Sequence, residues 1–116
     1  MSNKKQIRSQ FRTQVFTRDG YRCVCCGKHG KCRQTNEFIG IDVPRVNLDA
    51  HHITDRNLMP NGGYVKENGI SVCDDCHELC EVFHQTGEAH PGYAPADLYK
   101  MVGSSYEAAV KASEKL

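Results

Sequence analysis

Two CxxC pairs constrain this chain more than any other feature of its sequence. Cys23-Val24-Cys25-Cys26 and Cys73-Asp74-Asp75-Cys76 stand at the two ends of the segment 27–72. A CxxC sets two thiolates on one tight turn. Two such turns supply four sulfurs for a closed tetrahedral site, the arrangement zinc takes when its role is structural. The expected ligands are Cys23, Cys26, Cys73 and Cys76, so any fold must bring the two turns together. A redox reading of either pair needs a thioredoxin-like βαβ context, which the sequence lacks. Three of the seven cysteines remain. Cys25 offers a second partner in the first knuckle, Cys26, His29 and Cys32 offer a rival local cluster, and Cys80 lies one helical turn past Cys76. Four sulfurs already satisfy a tetrahedral ion, so Cys25, Cys32 and Cys80 read as small buried or idle thiols.

Composition explains why a metal staple is needed. The chain has 116 residues, enough for a single domain, with 39% hydrophobic residues, no Trp, four Phe and five Tyr. A core that thin commonly depends on a metal. No apolar run approaches the ~18 residues of a membrane helix. Met1 to Gln10 is polar and basic with no apolar stretch behind it, which reads as no secretory leader. Together with the odd cysteine count, this places the expected home of the chain in the cytoplasm, a reducing compartment.

Charge is unevenly spread. The net charge is +1, yet residues 1–36 carry nine Lys and Arg against the single acid Asp19, so the remainder is acidic. A basic arm ahead of an acidic body suits contact with a polyanion, although a solvated helix face has the same composition. Within that arm, Ile7, Phe11 and Val15 recur at helical period, predicting a helix over 4–18 that ends at Asp19-Gly20. Short strands are expected at Phe38–Ile41 and Val46–Ile53, and one of three residues at most at Ile70–Val72, with Pro60-Asn61-Gly62-Gly63 in a turn between. A helix follows from Asp74 to near Gly87, its apolar side supplied by Leu79, Val82 and Phe83. Pro91 to Pro95 reads as a linker, Pro95 opens a short helix, and Ser104 with Glu107 predicts a capping box before a terminal helix. The predicted class is α+β.

Between the CxxC pairs lies a second set of metal-competent residues. His51 and His52 end the expected strand, and His77 follows Cys76 in the first turns of a helix. Held together by the sulfur clamp, the three imidazoles can surround a second ion with positions left open for water and substrate, with Asn68 nearby.

Arg18-Asp19-Gly20-Tyr21-Arg22-Cys23, Cys26-Gly27, Ala50-His51-His52-Ile53, Gly62-Gly63 and Asn68-Gly69-Ile70-Ser71-Val72-Cys73-Asp74-Asp75-Cys76-His77, in that order and spacing, closely resemble the zinc-containing branch of the HNH endonuclease family, in the manner of small phage or bacterial members. The resemblance covers about residues 10–84. It implies a ββα-metal core over about 10–87, stapled by the four-cysteine zinc and flanked by the basic amino-terminal helix and a helical tail over 91–116. It also implies hydrolysis of DNA phosphodiesters, with double-stranded DNA as partner. By position, His51 and His77 match the ligands of the catalytic divalent ion, His52 the general base, and Asn68 the residue that pins the hairpin loop. The ion can be Mg2+, Mn2+, Ni2+ or Zn2+. Adjacent residues of an ideal strand point to opposite faces, so the strand must end, twist or bulge for His51 and His52 to serve one site. Asp49, on the face of His51, is a fallback ligand. His84, two turns after His77, could serve as a further ligand or phosphate contact, although a plain surface histidine is the commoner case, and Arg56 could clamp the scissile phosphate or form an ordinary surface pair. Two other readings stand beside the nuclease: a zinc-stapled nucleic-acid-binding module that does not cleave, and an interaction protein that docks a partner through 91–116.

Overall fold

The computed structural model describes residues 4–30 and 46–116. Helix α1 spans Lys4–Arg18, strand β1 Leu48–His52, strand β2 Gly69–Cys73, helix α2 Asp74–Thr86, helix α3 Pro95–Met101 and helix α4 Tyr106–Glu114. Three single 3-10 turns, Arg56–Leu58, Pro60–Gly63 and Lys66–Asn68, fill the connection between the strands. Among the described residues the fold is α+β, with four helices and a two-stranded antiparallel sheet. The expected strand at Phe38–Ile41 lies outside the described residues, as does Cys32.

The strands pair with His51 opposite Ile70 and His52 opposite Gly69. Alternation then assigns the faces. Ser71 Oγ reaches the Val15 carbonyl of α1, and the His52 ring stacks on Phe11, so one face carries α1. His51 and Asp49 meet His77, so the other face carries α2. Gly69 is where α1 crosses closest: a Cβ there would come 2.8 Å from the Phe11 ring and would collide with Val15. That crossing buries Phe11 and Val15, while Ile7, the third member of the expected stripe, stays half-buried.

Strand β2 is five residues long, not three, and buried throughout. Its outer edge is satisfied by groups the turn signal did not reveal. Asp19 Oδ2 accepts the Ser71 N–H at 2.8 Å, and Val24 donates its N–H to the Ser71 carbonyl at 2.9 Å. Arg18, held by Asp19, donates to the Lys66 and Gly69 carbonyls. An unpaired buried edge is costly, and these contacts remove that cost.

In α2 the fully buried positions are Cys76 and Cys80; Leu79, Val82 and Phe83 are only half-buried. The expected apolar side is therefore displaced, because the sulfur-rich knuckle occupies the space beneath the helix. The helix stops at Gly87, whose φ of +82° closes the last turn with its N–H on the Phe83 carbonyl. The terminal helix is capped by Ser105, which accepts from the Ala108 N–H at 3.1 Å, not by Ser104. Ser104 instead donates to the Glu67 carbonyl at 2.8 Å, tying the tail to the core. Leu98, Tyr99 and Ala109 of the tail join Ile53, Ile70 and Val72 in the hydrophobic core. Among the described residues, no helix is long and apolar enough to cross a membrane.

Candidate metal centres

The knuckle turn is closed by the Cys23 N–H on the Lys28 carbonyl at 2.9 Å and the Gly27 N–H on the Cys23 carbonyl at 2.7 Å. Cys73 ends β2, and Cys76 sits in the first turn of α2. The four sulfurs Cys23, Cys26, Cys73 and Cys76 all lie within 4.8 Å of one another, with Cys26 and Cys73 3.7 Å apart. A tetrahedron with metal–sulfur bonds of about 2.3 Å has edges of about 3.8 Å, whereas a disulfide closes to about 2.0 Å. The spacing fits four ligands around an ion. Electrostatics agree: burial, reinforced by neighbouring thiols, pushes Cys26 and Cys76 above the ordinary thiol range. Burial opposes ionisation of Cys23 as well, but backbone hydrogen bonds at Cys73 and Cys26 bring it below that range. Four such thiols can ionise together when a cation sits among them. The Tyr93 hydroxyl donates to Cys76 Sγ at 3.8 Å. Cys25 and Cys80 stand outside the quartet, packed together in the core.

The second cluster lies against the next stripe of α2, where His77, Glu81 and His84 follow at helical spacing. His51 is 2% exposed, with the His77 and His84 rings each 5.2 Å away, centroid to centroid. Among the described residues, the close donor set here is His51, Glu81 and His84, whose ligand atoms all lie within 4.8 Å. Glu81 Oε1 is 3.1 Å from His51 Nδ1 and accepts from His77 Nε2 at 3.2 Å. His77 thus touches the set through Glu81, and its Nδ1 stands 3.4 Å from Asp49 Oδ2. The expected pair His51 and His77 are neighbours, but the tightest grouping includes Glu81 and His84 in place of His77. Both ring nitrogens of His51 are buried without a directed hydrogen bond, despite the closeness of Glu81. An imidazole nitrogen and a carboxylate oxygen facing each other without a directed hydrogen bond form a pair that can coordinate a cation, and a buried polar atom without a partner is otherwise costly. His84 Nε2 donates to the His52 carbonyl at 3.1 Å.

His52 takes the opposite side of the strand. Its ring stacks on Phe11, 4.6 Å between centroids, and meets the edge of Tyr64 at 4.7 Å. The strand ends at His52 and needs no bulge, because the cavity wraps its end: Ala50, His51, His52, His77, Glu81 and His84 all border it, with Asp55 and Arg56. Burial, aided by His77, His84 and His52, lowers His51 to about 3. Burial and Arg56 lower His52 to about 4. Both imidazoles are neutral at physiological pH. Arg56 is at the solvent-facing rim.

Asn68 locks the chain just past the histidines. Its Nδ2 donates to the carbonyls of Thr54, at 3.0 Å, and Gly63, at 3.2 Å. Its Oδ1 accepts the Thr54 N–H at 2.9 Å and the Tyr99 hydroxyl at 2.7 Å. Gly63, at φ +66°, allows the close approach, since a Cβ there would lie 2.7 Å from the Asn68 amide. Thr54 in turn donates its hydroxyl to Tyr99 at 2.6 Å. Glu81 and Tyr99 are contacts of the candidate site that sequence reasoning missed. Glu81 was readable, four residues past His77 and three before His84 on one helix stripe. Nothing local marked Tyr99.

Tyr99→Phe is expected to destabilise the protein by about 1–3 kcal/mol, because it strands the half-buried Thr54 hydroxyl and strips a donor from Asn68. Tyr106→Phe, on an exposed ring, should stay within about 0.5 kcal/mol. Urea unfolding of the two variants makes the comparison.

No family model, curated protein or solved structure matches this chain. What the site does must be argued from its geometry.

Proposed function

We propose that this chain is a metal-dependent DNA endonuclease of the HNH type, with a structural zinc on the four cysteines. In this reading β1, β2 and α2 form a ββα-metal core, and His51, Glu81 and His84, with His77 beside them, would hold a catalytic divalent ion. The observation that carries the proposal is the buried His51 ring, both nitrogens unbonded, sharing one open cavity with a second neutral imidazole, His52. A pure binding module has no use for that pairing.

The chemistry asks for two things: neutralisation of an anionic phosphodiester and removal of a proton from water. A divalent ion, when bound, supplies Lewis-acid stabilisation of the phosphate and of the departing 3′ oxygen. His52 supplies the base. Its Nε2 is enclosed and unpartnered, so Nδ1 is the nitrogen that takes the proton from water. Stacking on Phe11 and the edge of Tyr64 fix the ring plane, and the Asn68 clamp on Thr54 fixes the backbone two residues on. The exposed Lys4, Lys5, Arg8 and Arg12 of α1 would hold the DNA backbone through contacts that weaken with salt.

Nicking of supercoiled plasmid by purified protein with Mg2+ or Mn2+, lost on chelation, tests the reading. Gel retardation without nicking under any metal would select the binding module instead. The low pKa of His52 adds a pH signature. A base with an ordinary imidazole pKa of about 6.5 is about tenfold depleted at pH 5.5. His52, lowered to about 4, remains almost wholly unprotonated there. The kcat/KM at pH 5.5 is therefore expected to remain within about twofold of its value at pH 7.5. An acid limb centred near 6.5 would contradict the assignment of the base.

A further inference from the structure

A second cavity lies on the α1 side of the histidine cluster, between that helix and the turns that follow β1. Lys4, Ile7 and Arg8 line it from α1, and Arg56, Asn57, Asn61, Gly62 and Tyr64 from the turns. Three of these residues are cations and none is acidic. Lys4 and Arg8 are one helical turn apart and face the same way. Among the described residues, no carboxylate comes within ion-pair distance of Lys4, Arg8 or Arg56. Tyr64 stands between the two arginines: the Arg8 guanidinium lies 5.8 Å from its ring centroid, and Arg56 Nη1 donates to its hydroxyl at 3.4 Å. Burial pushes the Tyr64 phenol up, but the guanidinium groups of Arg56 and Arg8 more than offset it and bring the phenol below its ordinary range.

Asp55 lies near enough to Arg56 to favour its charge, but no acid lines the cavity itself; cations that converge there repel one another, and an anion in the cavity relieves that repulsion. The cavity is not isolated from the histidines. Arg56 borders both spaces, and the Tyr64 ring that forms its wall is the one against His52.

We propose that the cavity lined by Lys4, Arg8, Arg56 and Tyr64 is a subsite for a backbone phosphate of the bound DNA strand, separate from the scissile phosphate. The two guanidinium groups and the ammonium of Lys4 receive the non-bridging oxygens, and the Tyr64 hydroxyl adds a donor. An anchored neighbouring phosphate fixes the strand so that the scissile one meets His52. The subsite deepens the nuclease reading and rests on it for the orientation of the strand, but it concerns binding, which can be measured with no cleavage at all.

The test uses the full chain with its structural metal, a fluorescent duplex of random sequence, and no added divalent ion. Binding is measured across a salt series for wild type, Arg8→Gln, Lys4→Gln and, as control, Lys111→Gln on α4, a lysine that does not line the cavity. All three positions tolerate the change, since these side chains are exposed; thermal melts confirm it. Each subsite variant is expected to weaken binding equally on unrelated sequences and to lower the slope of log K against log salt by about one, while the control matches wild type. Inorganic phosphate at millimolar concentration should compete with the duplex for wild type and less so for Arg8→Gln. Unchanged slopes in Arg8→Gln and Lys4→Gln overturn the subsite even if plasmid nicking is normal. Lowered slopes in a protein that never nicks would sustain the subsite and overturn the nuclease. A wild type that does not bind the duplex overturns both.

Discussion

Cys73→Ser is expected to abolish both metal binding and cooperative folding. Cys73 ends β2 and its sulfur faces Cys26 at 3.7 Å, so the substitution removes one of four ligands at the junction where strand, helix and knuckle meet. The apolar core around it is modest. Its buried members are Ile53, Met59, Ile70, Val72, Leu98, Tyr99 and Ala109, joined by four cysteines. A domain of this size has about 5–15 kcal/mol of stability in total. A structural zinc in a small site contributes about 10–16 kcal/mol of apparent binding energy, and that energy is folding energy. Loss of one ligand thus removes as much as the whole margin. Metal content by plasma emission should fall from one structural ion per chain to none, and the thermal transition should disappear. Cys25→Ser is the matched control: it sits in the same knuckle, outside the quartet, and should keep the ion and melt as a cooperative unit. If Cys73→Ser retains its metal and melts within a few degrees of wild type, the sulfur cluster is not the staple.

The parts of the fold that were legible in the sequence are those governed by local rules. Helix α1 is expected over 4–18 and found over Lys4–Arg18, because an apolar stripe and a turn at Asp19-Gly20 bound it. Helix α2 begins at its two aspartates and ends at a glycine that can adopt a left-handed conformation. The sulfur quartet was legible for the same reason, since CxxC turns advertise their ligands in the spacing. What escaped depends on contacts between distant segments. Asp19 looks like a turn residue, yet its carboxylate completes the edge of β2 at Ser71. The Ser104–Glu107 pattern satisfies the capping rule, but the Glu67 carbonyl competes for Ser104 and the cap falls to Ser105. In α2 the apolar pattern pointed to Leu79, Val82 and Phe83, whereas tertiary structure buried the thiols. The histidine cluster shows both cases. Alternation along β1 was readable and holds, but that the cavity wraps the strand end, and that Tyr99 from the tail reaches Asn68, follows only from packing.

On the proposed nuclease reading, His52→Phe should lower the rate of DNA cleavage by about 10²–10⁴-fold while leaving DNA binding, structural metal and folding close to wild type. Phenylalanine is chosen because the His52 ring is packed as an aromatic ring, stacked on Phe11 and edged by Tyr64. An alanine there would open a cavity and confuse loss of base with loss of packing. The phenyl ring keeps those contacts and removes both ring nitrogens, the proposed proton acceptor among them. Folding is expected to tolerate the change for a further reason: His52 is held neutral, and its Nε2 already lacks a hydrogen-bond partner, so no buried polar bond is broken at that atom. The loss should appear in kcat with KM little changed, since no proton moves in the ground-state complex. His51→Ala should behave differently: it takes one donor from the set with Glu81 and His84, so higher concentrations of Mn2+ should restore part of its activity, as they should not for His52→Phe. A smaller alanine variant at 52 gives a final check, because added imidazole can enter the space left beside Phe11 and act as the missing base. Cleavage by His52→Phe within about tenfold of wild type would move the base elsewhere in the cavity, with His77, 3.4 Å from Asp49, the first residue to replace next.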